Sequence, residues 1–201
     1  GVHQGRAAAV DAEGNVVATG PSISASGFDF YTVKYNATTG VDLWSDRYDG
    51  TGDGDDVPVA VVIDSAGHVI VTGGSTGTGS GLDVYTRKYN GVTGGDLWNE
   101  RDDGPADDDD AAAAIALDAA DNVIVTGYST GSGSGLDFYT AKYAASDGSR
   151  LWFQRYNGPG NGEDHAYDVA LDGSDNVIVT GNSMGSGGVS DYATIKYSSA
   201  G

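Results

Sequence analysis

The sequence predicts an all-β protein made of tandem repeats, each with four short strands, and three observations lead to this prediction. A 54-residue period runs through the chain. Each unit contains short apolar or alternating runs bounded by Gly, Ser, Asn and Asp, which is typical of strands and turns. No segment shows apolar residues at the i, i+3, i+4 spacing of an amphipathic helix, so we expect helix content close to zero.

The period is set by residues that recur at fixed intervals. One tryptophan and two aspartates recur in successive units, at intervals of 54 residues with a single interval of 53. These residues are Trp44, Trp98 and Trp152; Asp29, Asp83, Asp137 and Asp191; and Asp11, Asp64, Asp118 and Asp172. We therefore expect one repeat domain, 1–201, with units at approximately 1–56, 57–110, 111–165 and a truncated 166–201. The tryptophans and the last aspartate set are expected to be structural.

The third unit shows the four expected strands most clearly. The first strand is the apolar run AAAAIAL, which ends at Asp118, and the second is NVIVTG at 122–127. A Gly/Ser-rich loop, STGSGSG, follows, and we expect the glycines to lie in turns. The third strand, DFYTAKY, alternates with a period of two, and the fourth is LWFQRY. In the first unit we expect the first strand near Gln4 to Val10.

The first two strands of each unit are joined by a turn with its own chemistry. The four turns read DAEGN, DSAGH, DAADN and DGSDN. An aspartate that caps its own turn, followed by a residue that tolerates positive φ, is typical of a tight hairpin.

Four strands repeated every 40–55 residues or so are typical of β-propeller blades. A lone four-stranded sheet with two apolar faces cannot bury both, whereas blades stacked face to face around an axis can. A β-solenoid usually has shorter repeats, and an array of small sandwiches would need longer strands. We therefore expect about four blades of four antiparallel strands. The last blade should have three strands, because the chain ends before its LW segment.

The repeat sequence resembles a known family. The segment NVIVTGYSTGSGSGLDFYTAKY, followed by LWFQRYNGPGNGED, and the segment SDYATIKY are similar to the bacterial seven-bladed propeller repeats called SBBP. The turn before each Trp is also similar to the tryptophan-docking motif of quinoprotein propellers, in which the Trp docks against the neighbouring blade. The resemblance covers essentially all 201 residues. It implies a secreted or surface-attached propeller without a fixed catalytic residue set.

The number of repeats leaves the shape of the ring open. Seven blades would need roughly twice the residues present, so three arrangements are considered. The chain is a segment of a longer propeller, a closed four-bladed ring, or one of two chains that form an eight-bladed ring. The three-stranded last blade should carry a free edge, and free edges favour pairing. The expected partners are therefore other copies of the chain or the remaining blades of a longer one.

Acidic loops precede the first strand of each later blade and are the candidate metal site. The chain has 29 Asp and Glu against 10 Lys and Arg, a formal charge of −19, and the loops 49–56, 102–110 and 157–165 are rich in acid. Ca²⁺ prefers such oxygen ligands; the alternative is that the carboxylates cap backbone N–H groups, with no cofactor. The candidate ligands are Asp53, Asp55, Asp56, Asp107, Asp109, Asp110, Glu163 and Asp164.

Two further sets recur in every unit. Seven of the ten basic residues lie at repeat positions, and we expect them to pair with nearby aspartates; they are Lys34, Lys88, Lys142, Lys196, Arg47, Arg101 and Arg155. The tryptophans and the tyrosines of the third strand are expected to pack between blades. The alternative for these aromatic side chains is a platform that stacks on sugar rings.

Composition excludes several functions. The absence of Cys excludes disulfides and thiolate metal sites. An acidic chain is a poor partner for nucleic acid, and no run approaches the roughly 20 apolar residues that span a membrane, so we expect neither partner. No catalytic constellation is present. We expect a non-enzymatic extracellular scaffold or binding module for glycan or protein ligands. The alternatives are a carbohydrate-binding, calcium-dependent propeller and a fragment of a quinoprotein-like enzyme.

Overall fold

A computed structural model describes residues 3–201, which form fifteen antiparallel strands and no helix. The strands make four sheets, three with four strands and the last with three. Within each sheet the strands follow one another in chain order. The predicted blades, the truncated last blade and the absence of helix in these residues are therefore confirmed.

Each sheet corresponds to one repeat and is called a blade. Blade 1 contains β1 (Ala7–Val10), β2 (Val16–Ile23), β3 (Phe28–Tyr35) and β4 (Asp42–Tyr48). Blade 2 contains β5 (Asp56–Ile63), β6 (Val69–Gly77), β7 (Gly81–Tyr89) and β8 (Asp96–Asp102). Blade 3 contains β9 (Asp110–Leu117), β10 (Val123–Gly131), β11 (Gly135–Tyr143) and β12 (Arg150–Tyr156). Blade 4 contains β13 (His165–Leu171), β14 (Val177–Met184) and β15 (Ser190–Tyr197).

Successive blades pack face to face in an arc. The second strand of each blade lies against the first strand of the next, and the first strands β1, β5, β9 and β13 lie beside one another along the inner side of the arc. Across residues 3–201, no strand of blade 4 packs extensively on blade 1. The blades therefore form an open arc, which differs from the closed four-bladed ring considered above.

The apolar core lies between blades. At the junction of blades 1 and 2, Phe30 meets Tyr85 edge-on with ring centroids 5.6 Å apart, and Tyr48 stacks on Tyr85 at 4.4 Å. Trp44 and Tyr89 belong to the same buried cluster. Corresponding clusters fill the next two junctions. The prediction that the tryptophans and the third-strand tyrosines pack between blades is confirmed for Trp44, Tyr85 and Tyr89.

The second strand of each blade carries a glycine within the strand, as the predicted segment NVIVTG does at Gly127. The first strand bulges opposite this glycine, as between Thr126 and Gly127, and turns a carbonyl oxygen toward it. A Cβ at Gly127 would lie 2.0 Å from the carbonyl oxygen of Ala111. Gly20, Gly73 and Gly181 occupy the same place in the other blades. The close approach of this carbonyl oxygen explains why glycine recurs at this strand position.

Two strand boundaries also differ from the prediction. The STGSGSG segment is mostly strand, because β10 continues to Gly131 and β11 begins at Gly135, leaving a three-residue turn. Ladder pairing from Val123 with Tyr143 to Gly131 with Gly135 satisfies the backbone of this segment. In blade 1 the regular strand begins at Ala7, and His3 forms only an isolated bridge with Ser22.

The Asp turns between first and second strands have the predicted chemistry. Asp118 Oδ1 accepts the backbone N–H groups of Ala120 and Asn122 at 2.9 and 2.8 Å. Asp121, next in the turn, has φ of +62°. The same geometry recurs at the other three turns, where the positive-φ residues are Gly14, Gly67 and Asp175. Each turn therefore fixes the direction in which the second strand leaves the first.

Candidate functional site: the inter-blade junctions

Each tryptophan of the fourth strand reaches the next blade. The indole N–H of Trp44 donates to the carbonyl oxygen of Gly91 at 3.1 Å. A Cβ at Gly94 would lie within 3 Å of the Trp44 ring, so only glycine lets the turn sit on the indole. Trp98 and Trp152 donate in the same way to Ala145 and Ser199 of the following blade. The tryptophan thus binds two consecutive blades together.

The lysine of the third strand reinforces the same contact. The ammonium of Lys34 lies 2.8 Å from Asp11 of its own blade and donates to the Gly91 carbonyl at 2.7 Å. Lys88 and Lys142 repeat both contacts. Lys196 pairs with Asp172 at 2.6 Å, on the exposed end of the arc. The predicted pairing of lysine with aspartate is confirmed in all four blades.

These ion pairs shift the aspartate pKa values. At Asp11, burial acts to raise the pKa, but hydrogen bonds from Lys34 and Asn15 outweigh it and lower the pKa to about 2. The pKa of Asp118 is lowered by the same balance between burial and its bonds to Lys142 and Asn122. In the folded chain, Asp11 and Asp118 therefore stay ionised to a lower pH than an ordinary aspartate does.

The repeated arginines hold the beginning of the third strand. Arg101 donates to Asp83 Oδ2 at 2.6 Å and to the carbonyl oxygen of Ser75 at 2.7 Å. It also reaches the Tyr48 hydroxyl of the preceding blade at 3.1 Å. Arg47 pairs with Asp29 and Arg155 with Asp137 in the same way. The predicted arginine–aspartate pairs are confirmed.

The last carboxylate of each acidic loop is buried and bound to backbone. Asp110 Oδ2 accepts the Gly104 N–H at 2.6 Å and Oδ1 accepts the Thr130 N–H at 2.8 Å. Asp56 and Asp164 make the same pair of contacts. Each thereby ties the loop to the end of the second strand. Burial raises the pKa of Asp56 and Asp110 against these hydrogen bonds.

The other predicted ligands lie on the surface of the loops. Asp55 and Asp109 accept the backbone N–H groups of Phe28 and Leu82 from the preceding blade, at 3.0 and 3.1 Å. Asp53, Asp107 and Glu163 are exposed. The structure does not bring the predicted ligands together as one set. Calcium binding by those eight residues stays a prediction.

Within residues 3–201, two groups of three carboxylates do converge, and each contains one predicted residue. Asp56 lies with Asp29 and Asp49, and Asp110 lies with Asp83 and Asp103. In each group, one oxygen of every member is within 4.8 Å of the others. Sequence reasoning missed Asp29, Asp49, Asp83 and Asp103. The usable signal was their 54-residue spacing, since Asp49 and Asp103 align as Asp29 and Asp83 do.

Each end of the arc has a face on which no other blade packs extensively within residues 3–201. A cavity of about 140 Å³ lies on the outer face of blade 1 and is lined by residues that include Gly20, Tyr31 and Val33. At the opposite end, Tyr192 projects from β15 and is 85% exposed.

The fold and these junctions define the chain as a β-propeller module. Among solved structures, the protein is similar to the crystal structure of BamB from Moraxella catarrhalis, a β-propeller, with a TM-score of 0.55 and 15% sequence identity. The match covers 98% of this chain and 54% of the BamB chain, so the protein spans about half the length of that structure. No family model and no curated protein matches the sequence.

At that identity, the similarity shows the fold alone. Membership of the SBBP repeat family stays a prediction. No helix within residues 3–201 has the length and apolar character needed to cross a membrane.

Proposed function

We propose that the protein is a non-enzymatic, extracellular propeller scaffold whose arc is completed by a second copy of the chain. The repeated Lys and Trp side chains bond each blade to the next, and Arg101 bonds blade 2 to blade 1, so these side chains serve assembly of the blades. The resemblance to SBBP repeats supports a location outside the cell. In this proposal the ring presents its inter-strand loops to glycan or protein ligands.

The observation that carries the proposal is the exposure of one repeat position. The residue after the third-strand aspartate points into the junction with the next blade, and it is at most 1% exposed in Phe30, Val84 and Phe138. Its equivalent in blade 4 is Tyr192, which is 85% exposed. Because this position packs against the next blade in the other three repeats, we propose that a partner covers Tyr192 in the assembly.

The opposite end of the arc has a matching surface. Phe30 reaches over Gly73 of blade 2, since its Cζ is 2.9 Å from the place where a Gly73 Cβ would be. Gly20 is the equivalent of Gly73 and lines the open cavity on blade 1. We therefore expect Tyr192 of one copy to occupy the Gly20 cavity of another. Two such contacts close a two-fold ring, and two copies together have about the length of the BamB chain.

The test is the solution mass of the wild-type chain and two variants, by light scattering after size exclusion. We expect the wild type to have twice the 20.4 kDa mass of one chain. Tyr192→Ser should shift the protein to a monomer, because it removes the side chain that fills the cavity. Phe153→Ser is the control, since Phe153 is an exposed aromatic residue away from both end faces. A monomeric wild type, or a dimeric Tyr192→Ser variant, would contradict the proposal.

The location is tested separately. We expect the protein in the culture medium or on the cell surface when its natural host is fractionated. Recovery in the cytoplasmic fraction alone would contradict an extracellular role.

A further inference from the structure

The junction between blades 2 and 3 brings together three carboxylates that are distant in sequence. Asp83 lies near the start of β7, Asp103 follows β8, and Asp110 begins β9. One oxygen of each lies within 4.8 Å of the others. Asp83 and Asp110 are buried, whereas Asp103 is exposed and leaves the group open to solvent. The group therefore has two carboxylates within the junction and one at its open side.

One oxygen in this group has no bonding partner. The Asp83 side chain is 1% exposed. Its Oδ2 accepts bonds from Arg101 at 2.6 Å and from Ser80 at 3.1 Å. Its Oδ1 is buried and accepts no hydrogen bond from any residue in 3–201. A buried, ionisable oxygen without a partner is uncommon in native proteins and calls for a ligand.

The charge around the group is also unbalanced. Arg101 pairs with Asp83 and Arg155 acts on Asp110, so two arginines stand beside three carboxylates. A positive ion among these carboxylates would relieve their mutual repulsion.

We propose that Asp83, Asp103 and Asp110 bind one Ca²⁺ ion that bridges blades 2 and 3. Ca²⁺ is a hard cation that takes carboxylate oxygens at flexible, partly solvated sites. Water completes the coordination through the open side at Asp103. The ion supplies the missing partner for Asp83 and joins the third strand of one blade to the first strand of the next.

The other two junctions differ in ways that make this one distinct. At the first junction, Ser24 donates to Asp29 Oδ1 at 2.8 Å and Ser26 donates to Asp49 Oδ2 at 3.0 Å. Hydroxyl groups therefore already occupy oxygens of that group. At the third junction, Asp137 Oδ1 is also buried without a partner in residues 3–201. There Asn157 stands at the position of Asp103, so the third carboxylate is missing.

The test is calorimetric titration of the EDTA-treated full chain with CaCl₂, in parallel with MgCl₂. We expect one saturable Ca²⁺ site per chain, with weaker binding of Mg²⁺ because Mg²⁺ dehydrates reluctantly. Asp103→Asn, which copies the natural Asn157, should weaken this site at least about tenfold through loss of a charged ligand. Asp147→Asn is the matched control, an exposed turn carboxylate outside the group and outside the predicted ligand set, and should bind as the wild type does.

A second variant tests whether a calcium site can be gained at the third junction. Asn157→Asp restores three carboxylates around the unpartnered Asp137 oxygen, and we expect a second Ca²⁺ site per chain. Absence of saturable binding in the wild type would overturn the proposal. So would wild-type affinity in Asp103→Asn, or loss of binding in Asp147→Asn. All three ligands belong to one chain, so the same titration on the Tyr192→Ser variant separates this proposal from the proposed ring.

Discussion

At the scale of single residues, the junctions depend on buried lysines. The ammonium of Lys88 lies 2.7 Å from Asp64 and 2.8 Å from the Ala145 carbonyl of the next blade. A buried ion pair adds little more to stability than an apolar pair would, because both charges lose their hydration. Removing only one partner is costly, since it leaves the other charge buried and uncompensated. The lysine therefore matters chiefly because the Asp64 carboxyl group is buried beside it and inaccessible to solvent.

Lys88→Met should lower the free energy of unfolding by about 3–5 kcal/mol, because it strands the buried Asp64 carboxylate. Lys196→Met is the matched control, since the Lys196 side chain is 57% exposed against 5% for Lys88. We expect a change several-fold smaller for the control, because exposed pairs contribute little. Urea unfolding measures both, and equal losses in the two variants would contradict the burial argument.

The Asp11–Lys34 pair also predicts a pH dependence. The pKa of Asp11 is about 2 in the folded chain, below its ordinary value of 3.8. Between these two pH values the Asp11 side chain binds more protons in the unfolded chain than in the folded chain. The contribution of the ionised Asp11 to stability is therefore complete above pH 3.8 and is lost as the pH falls through 2.

We therefore expect the stability gap between wild type and Asp11→Asn to be largest near neutral pH and to shrink as pH falls from 3.8 towards 2. Urea unfolding at a series of pH values measures the gap. A gap that stays constant across that range would show that the charge on Asp11 is not what stabilises the turn.

At the scale of elements, the bulge in the first strand shapes each blade. The extra residue turns a carbonyl toward the second strand, and only a glycine there leaves room for it. This explains why a flexible residue recurs in the middle of a buried strand. The glycine-rich composition is therefore partly a property of strands as well as turns.

Gly127→Ala should destabilise the protein by roughly 1–3 kcal/mol, because its Cβ would lie 2.0 Å from the Ala111 carbonyl. Gly173→Ala serves as the control, because it has no neighbour within 4 Å of the added Cβ and no positive φ. The control should be neutral or slightly stabilising, since it restricts the unfolded chain. Thermal melting compares the two, and a harmless Gly127→Ala would contradict the role assigned to the bulge.

The blades could be predicted from sequence because their signals are local and repeated. Alternation in DFYTAKY and the capped Asp turns gave the strands, and the 54-residue period gave their number. The bulge opposite Gly127 could not be predicted, because it depends on the pairing of two strands. Likewise, the grouping of Asp83 with Asp110 depends on contact between blades, whereas the acidic run around Asp110 is visible in the sequence.

At the scale of the whole molecule, the four blades form an arc with two different ends. One end offers the Gly20 cavity and the other offers Tyr192. Complementary ends on one chain lead to head-to-tail association, which produces a ring if the rotation closes. The arc spans about half of the BamB chain, and in the proposed assembly a second arc completes the ring.

Imaging the purified protein by electron microscopy tests this claim most directly. We predict closed rings of eight blades in projection, formed from two chains of four blades each. The Tyr192→Ser variant should appear as open arcs of half that size. Isolated four-bladed arcs in the wild-type protein, or closed four-bladed rings, would contradict the account.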